Sequence, residues 1–332
     1  MKVLITGANG FVGRAIVSEV SRNNFQVFQL VNINSYSKNL ENGTNIYKAD
    51  ISDYENLTAV VEESRIDVCI HAAGLTHQFG KQNKEDFWKV NVRGTENAAK
   101  LAVSLKAAHF ILISSVAVYG NQPIKSDESS EGRKEITEEA ECNPQNFYAR
   151  SKYESEKNAV RICEANGIAL TILRLATVIG EDDKGNVARL INAIDKNRFV
   201  WIGNGENLKS LIFKDDVAKA CLKVFGKTNG TEVFNVTGEA VSMKTVVGEI
   251  ADRLGKNIPR LAISSRLLKR IFLLNSKTFK IKKLENFAAT VDKWLSDDVF
   301  SGEKFKQGYG FQAETTISEA IKRQVEKFKK LK

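Results

Sequence analysis

Along the chain, short apolar runs alternate with segments of helical length. Lys2 to Thr6 precedes Val12 to Arg22, and Gln26 to Val31 follows; Leu57 to Glu63 precedes Val68 to His71, and Asn91 to Leu105 precedes Phe110 to Ser114. The short runs are apolar at successive positions instead of every second one, which predicts strands buried on both faces. Strands and helices in alternation predict an α/β fold, a parallel sheet with helices on both sides, and Ala169 to Arg174 reads as a further strand of it.

Beyond Leu175 the pattern loosens into a glycine-rich stretch, Trp201 to Gly205, a strand-like Ser210 to Phe213, a helix from Asp215 and a strand-like Val233 to Val236. The economical division gives residues 1–175, with about 208–238, to a dinucleotide-binding domain, and 176–207 with 239–332 to a smaller substrate-binding domain. No unit of 20 to 50 residues repeats, which sets solenoids aside.

Composition narrows the class. Of 332 residues, 42% are hydrophobic and 27% charged, ordinary globular usage. There is no apolar run of the ~18 residues a membrane-spanning helix needs, and no charged-then-apolar leader at Met1. Disordered, collagen-like, membrane-spanning and conventionally secreted proteins are therefore not expected. Cys69, Cys142, Cys163 and Cys221 stand far apart without a C-x-x-C pair, which predicts neither a disulfide framework nor a zinc site and fits a reducing cytoplasm. The net charge of +9 is local: ten Lys or Arg face one acid, Glu285, between Arg253 and Phe287. That stretch, with the apolar run Leu267 to Leu274 at its centre, could lie on an anionic membrane. A solvated helix whose field attracts a nucleotide diphosphate is the favoured reading, and no nucleic-acid partner is expected. Lys327 to Lys332 reads as a solvated helix end.

Candidate chemistry begins at the first strand-to-helix turn, Gly7-Ala-Asn-Gly10-Phe-Val-Gly13. A glycine turn at that place sets free N–H groups and the positive end of a helix against a pyrophosphate. Gly7 permits the tight turn, Gly10 the approach of backbone to phosphate and Gly13 the close packing of helix on strand; Asn9, Phe11 and Val12 complete the candidate cradle. Dinucleotide sites usually carry an acid at the end of the second strand for the adenosine ribose. Here the strand ends Leu30-Val31-Asn32, and Asn32 could bond either ribose form, so NAD and NADP both stay open. Asp50-Ile51 could face the adenine ring, the alternative being a helix N-cap at Ser52 or Asp53 with Asp50 merely nearby.

Tyr148-Ala-Arg-Ser-Lys152 places a phenol and an ammonium four residues apart, on one face of a helix. A cation ~4 Å from the phenol at an effective dielectric of ~20 contributes ~4 kcal/mol, which would bring Tyr148 towards neutrality as a general base. Ser114-Ser115 ends an apolar strand at the edge where open α/β sheets hold ligands, and Ser115 could share a proton between Tyr148 and a substrate hydroxyl.

Together with His71-Ala-Ala-Gly74, Asn91-Val-Arg-Gly-Thr95 and Ser114-Ser-Val-Ala-Val-Tyr-Gly120, these motifs occur in the order found in a known family. The sequence resembles the extended short-chain dehydrogenase/reductases, specifically the NAD-dependent nucleotide-sugar epimerase/dehydratase family with its UDP-glucose 4-epimerase-like members. The likeness continues through Leu173 to Gly180, Gly203 to Gly205, Lys209 to Asp216 and Phe234 to Gly238. It implies a Rossmann-type doubly wound parallel sheet with a smaller C-terminal substrate-binding domain. It also implies Tyr148 as base, Lys152 lowering its pKa and binding the nicotinamide ribose, and Ser115 orienting the sugar hydroxyl. Ala72, Ala73 and Gly74 would pass along the cofactor, Asn91 would brace the central strands beside it, and Thr76, Tyr119, Thr177 and Lys209 would contact substrate. Lys209 falls where relatives often have an arginine on the diphosphate, keeping the charge without the bidentate fork. For Tyr119, packing is an equal alternative.

Two departures bear on the reaction. Val31 stands where relatives carry the NAD-selecting aspartate, and Val116-Ala117 where the 4,6-dehydratases carry Asp-Glu. Neither Val116 nor Ala117 can transfer a proton, which disfavours dehydration. The resulting expectation is a 4-epimerase acting on a UDP-hexose or UDP-N-acetylhexosamine, with NAD as cofactor; the resemblance also implies a homodimer paired through the helices of Asn91 and Tyr148. An NAD(P)H-dependent 4-keto reductase is the alternative, and a non-catalytic nucleotide sensor a more distant one. His71, His77 and His109 lack metal-like spacing, so no metal is expected. Cys69 and Cys221 read as core.

Overall fold

The computed structural model describes residues 1–33, 45–76, 83–121, 135–227, 229–259, 262–264, 291 and 294–332. His77 and the run Leu267 to Leu274, with most of the basic stretch, lie outside them. In chain order the elements are β1 (Lys2–Thr6), α1 (Phe11–Arg22), β2 (Gln26–Val31), β3 (Asn45–Lys48), α2 (Tyr54–Val60), β4 (Val68–His71), α3 (Lys84–Phe87), α4 (Gly94–Ser104), β5 (His109–Ser115), α5 (Phe147–Ala165) and β6 (Ala169–Leu175). There follow β7 (Thr177–Ile179), α6 (Asn186–Asp195), β8 (Trp201–Ile202), β9 (Leu208–Phe213), α7 (Lys214–Lys223), β10 (Thr231–Val236), β11 (Ala240–Ser242) and α8 (Met243–Leu254).

Seven strands form one sheet in the order β10-β6-β5-β4-β1-β2-β3, with every pairing parallel. This is the doubly wound Rossmann-type sheet that the alternation of apolar runs predicts. Val3 and Ile5 of β1 join a core with Ile16, Val17 and Val20 of α1. Leu4, between them, faces a second core with Ala98 and Leu101 of α4 and Ala159 and Ile162 of α5. Each face of the strand meets a helix layer, which is why its residues are apolar without alternation. The strand order reverses between β1 and β4, and the carboxyl ends of these neighbours flank the crevice where such sheets hold ligands.

The helix expected over Asn91 to Leu105 is longer and interrupted. A π-helical segment, Trp88–Arg93, precedes α4; such a bulge is invisible to a 3.6-residue period and is frequent at functional sites.

The chain divides into two compact units, Met1–Val178 with Ile212–Gly238 and Phe300–Glu314, and Ile179–Leu211 with Glu239–Val299 and Thr315–Lys332. Residues 300–314, expected in the smaller domain, belong to the first unit. Phe305 stacks on Phe234 of β10 with ring centroids 4.9 Å apart, Phe311 stacks on Phe305, and Tyr309 meets Phe234 edge-on. Within the second unit β11 pairs antiparallel with β9, Ala240 opposite Ser210. There α8 packs with α6 and with the helix Ile317–Lys330, which ends in lysines as expected.

Candidate active site

At the switch point the turn after β1 is built from backbone. Gly7 has φ +68°, the left-handed region, and a Cβ there would lie 2.6 Å from backbone atoms of Ala73. A Cβ on Gly13 would meet the Gly7 carbonyl at 2.1 Å, so both glycines are sterically required. Gly10 caps α1 without a side-chain bond and no acid occupies the first turn, leaving the positive helix end to an anion. Facing it, Ala72, Ala73 and Gly74 leave β4 towards the exposed Thr76. A Cβ on Gly74 would stand 3.2 Å from both Asn91 Oδ1 and Lys152 Nζ, so the cradle runs directly past the lysine. These glycine-lined surfaces fit a dinucleotide, with its pyrophosphate at the start of α1.

His71 holds this edge in shape. Its Nδ1 lies 2.7 Å from Thr6 Oγ1 and its Nε2 3.0 Å from Thr95 Oγ1, while Ala73 N–H donates to Thr6 Oγ1. Burial, aided by the positive charge of Lys152, lowers the His71 pKa to about 3 and keeps the ring neutral.

Along the adenosine side, Val31 is buried in the core while Asn32 is exposed at the strand end. Asp53, not Ser52, caps α2 by accepting from Asn56 N–H. Asp50 accepts from Ser52 N–H and Oγ and lies 3.6 Å from Lys89. Burial acts to raise its pKa, but these partners outweigh it and hold the carboxyl below its usual value. Ile51 is buried against Gly94, where a Cβ would come within 2.9 Å of it; its side chain is core.

Asn91 is a brace and not a surface contact. It lies on the π-helical segment, buried, accepting from Leu75 N–H and donating to Leu75 O and Ser151 Oγ. Ser155 Oγ donates to its carbonyl. The residue thus ties the loop after β4 to α5, whereas the expectation had it bracing the strands; the partners lie 16 and 60 residues away, beyond local pattern.

The candidate reacting groups come from β5 and α5. Asn146 caps α5 by accepting from Ala149 N–H, which puts Tyr148 in the first turn of a 19-residue helix, where the helix dipole favours a phenolate. Phe87 sets the ring from one side, centroids 6.1 Å apart. Ser115, half-buried at the end of β5, accepts from Ala117 N–H and caps the short helix Val116–Tyr119. Lys152 is buried and donates to Ile113 O at 3.0 Å. Burial drives its pKa down to about 8, with Glu156 opposing. The Tyr148 pKa is raised, not lowered: burial dominates, and the hydrogen bond with Ser115 offsets part of it. The lowering expected from Lys152 together with an oxidised nicotinamide is thus not achieved by the protein's groups alone.

Tyr119 is completely buried, its hydroxyl donating to Asn235 Oδ1 at 2.7 Å and accepting from Arg174 Nη1 at 3.0 Å. It is a packing residue, and the substrate contact expected of it is withdrawn. Thr177 is exposed at the start of β7. In the second unit Lys209 Nζ pairs with Asp298 at 2.7 Å and lies 3.3 Å from Ser296 Oγ. Cys69, Cys163 and Cys221 are buried free thiols and Cys142 is half-buried. His109 bonds Thr171 at 2.9 Å. Among the described residues no helix is long and apolar enough to cross a membrane.

Two groups escaped the sequence reading, Glu156 and the Asn235 side chain, as did the bond of Ser114 to Glu156. A signal existed for Glu156, four residues after Lys152 and eight after Tyr148, hence on the same helix face. Arg174, a charge ending an apolar strand, signals a buried partner.

A parallel sheet with a glycine cradle at its switch point, beside a serine, tyrosine and lysine, defines a dinucleotide-dependent enzyme of the short-chain dehydrogenase/reductase type. The chain belongs to the NAD dependent epimerase/dehydratase family, whose model matches residues 3–237. It is 25% identical, over 97% of its length and 93% of the relative's, to the N-acetyl-alpha-D-glucosaminyl-diphospho-ditrans,octacis-undecaprenol 4-epimerase of Escherichia coli O157:H7. It is also 25% identical, over 98% of its length and 88% of the relative's, to the dTDP-D-glucose 4,6-dehydratase of Bos taurus. The fold matches that of the Thermus thermophilus UDP-glucose 4-epimerase, solved in complex with NAD, at a TM-score of 0.77 and 21% identity over 99% of both chains.

Proposed function

We propose that this chain is a nucleotide-sugar 4-epimerase, acting on a UDP-hexose or UDP-N-acetylhexosamine through a transient 4-keto sugar with NAD as cofactor. The observation that carries this reading is the set Ser115, Tyr148 and Lys152 at one sheet edge, followed by Val116 and Ala117, which have no ionisable group. A dehydratase needs a further acid and base to remove water; an epimerase needs only one proton relay.

NAD, bound along the glycine cradle, supplies the hydride acceptor and donor and, when oxidised, a positive charge. Gly7, Gly10 and Gly13 hold its pyrophosphate, Asn32 and Asp50 its adenosine half, and Ala72 to Gly74 its nicotinamide half. Ser115 orients the C4 hydroxyl. Tyr148 would take the proton from that hydroxyl as C4 is oxidised to the ketone and return it to the oxygen as C4 is reduced with the opposite configuration. Lys152 binds the nicotinamide ribose and supplies the cation that favours the phenolate. Thr76 and Thr177 contact the sugar, and Lys209 exchanges part of its bond to Asp298 for the diphosphate.

The test is incubation of the purified enzyme with UDP-glucose and UDP-N-acetylglucosamine, without added dinucleotide. The expected outcome is the C4 epimer of one of them, with near-stoichiometric NAD released on denaturation. Val31, in place of a ribose-binding acid, favours the second reading, a 4-keto reductase. An empty site or NADP, with turnover only on added NAD(P)H and a 4-keto sugar, would select it. Conversion of the lipid-linked sugar alone would move the substrate to that of the Escherichia coli relative.

A further inference from the structure

Behind the reacting groups lies a buried charged network that the proposed reaction does not use. Ser114 and Arg174 are cross-strand neighbours on β5 and β6, and Glu156 of α5 reaches across both. Ser114 Oγ donates to Glu156 Oε1 at 2.5 Å. The Arg174 guanidinium donates to both carboxylate oxygens, Nε to Oε1 at 3.1 Å and Nη2 to Oε2 at 2.7 Å. Its remaining nitrogen meets Tyr119, which continues to Asn235 and thence to Ile136 O. The side chains of Arg174 and Glu156 are 8% and 4% exposed.

Such a buried pair is costly to desolvate and is commonly no more stabilising than apolar residues of the same size. Its place suggests a use. Ser114 is adjacent to Ser115, and Glu156 is one helical turn beyond Lys152.

We propose that Glu156 is a positioning residue for the reaction, tying the end of β5 that carries Ser115 to the helix that carries Tyr148 and Lys152, and serving as the counter-charge of Lys152. The inference rests on the reading of Tyr148 and Lys152 as reacting groups. The titratable and charged groups around Lys152 are His71 from β4, Tyr148 and Glu156 from its own helix and, behind Glu156, Arg174 from β6. Burial works against the Lys152 proton and His71 is neutral; Glu156 is the group that works for it. Arg174 fixes the carboxylate in place. Burial opposes the guanidinium's charge, but bonds to Glu156 and Tyr119 more than offset it and hold its pKa above the ordinary value.

The experiment is a carbon-13 NMR titration of full-length protein labelled at lysine Cε, with the Lys152 signal assigned by Lys152→Met. The wild-type signal is expected to titrate at about 8. Glu156→Gln is expected to lower the Lys152 midpoint by roughly one unit or more, since the opposing charge one helical turn away is lost and Arg174 is left unbalanced. The alkaline limb of kcat against pH should move down with it, with a smaller change in KM. A residue that only supports the fold would lower the active fraction and leave both midpoints in place, and that result overturns the proposal. If Glu156→Gln does not fold, the double variant Glu156→Gln/Arg174→Met removes the unbalanced cation. A lowered Lys152 midpoint there supports the proposal, and an unchanged one overturns it. The titration needs no sugar, so a wrong substrate assignment and a wrong role for Glu156 give different results.

Discussion

At the carboxyl ends of β1 and β4 the site is made of backbone: Gly7, Gly10 and Gly13 on one side, Ala72 to Gly74 on the other, steadied by a neutral histidine between two threonines. Two strands away, at the ends of β5 and β6, it is made of side chains, with Ser115, Tyr148 and Lys152 in front and the Glu156–Arg174 pair behind. The first edge has to receive a large anionic molecule, for which backbone N–H groups and empty space suffice. On the proposed reading the second moves a proton, which requires ionisable groups whose pKa values are set by burial and neighbours. Added volume should therefore break the first edge, and an altered charge or hydroxyl the second.

The largest effect is expected from Tyr148→Phe, which removes the proton acceptor and keeps the ring. Turnover should fall by about 10²- to 10⁴-fold, while melting temperature and released dinucleotide stay near wild type. A variant that turns over normally would remove Tyr148 from the reaction.

Gly13→Ala should act the other way round. Its Cβ would sit 2.1 Å from the Gly7 carbonyl, so destabilisation of about 1–3 kcal/mol is expected from overpacking, together with loss of bound dinucleotide. Gly10→Ala, whose Cβ would be 3.0 Å from the same oxygen, should be milder. Equal stability of the Gly13→Ala and wild-type proteins by urea denaturation would contradict the close packing.

The effect confined to acid pH comes from the neutral histidines. Burial lowers the pKa of His71 to about 3 and that of His109 to about 4 from 6.5. Unfolded histidine takes up a proton where the folded one does not, so their contribution is full above about 6.5 and is lost as pH falls from there towards the folded values. Each should take about 1.4 kcal/mol per pH unit in that window. Melting curves between pH 7 and 5 should show the loss, with a shallower slope for His109→Gln; identical slopes would contradict it.

The glycine turn and the Tyr148–Lys152 spacing were legible because each is a local pattern. Turn geometry is decided within a few residues, and a four-residue spacing selects a helix face. Tyr119 and Asn91 were less legible. Tyr119 looks like a pocket residue from its place after a strand end, yet its hydroxyl partners lie 55 and 116 residues away. The rise of the Tyr148 pKa was not legible for the same reason: a charge four residues away is visible in sequence, whereas burial is not.

By itself, the sequence determined the doubly wound parallel sheet and the glycine turn after its first strand, and it set Tyr148 and Lys152 four residues apart, because periodicity, glycine and helical spacing act over one or two turns of chain. Tertiary structure alone decided that Asn91 locks the loop after β4 to α5, that residues 300–314 pack on β10, and that Glu156 bridges Ser114 and Arg174. These depend on which strands become neighbours, and strand order is settled by the burial of whole faces, which no short stretch of sequence encodes.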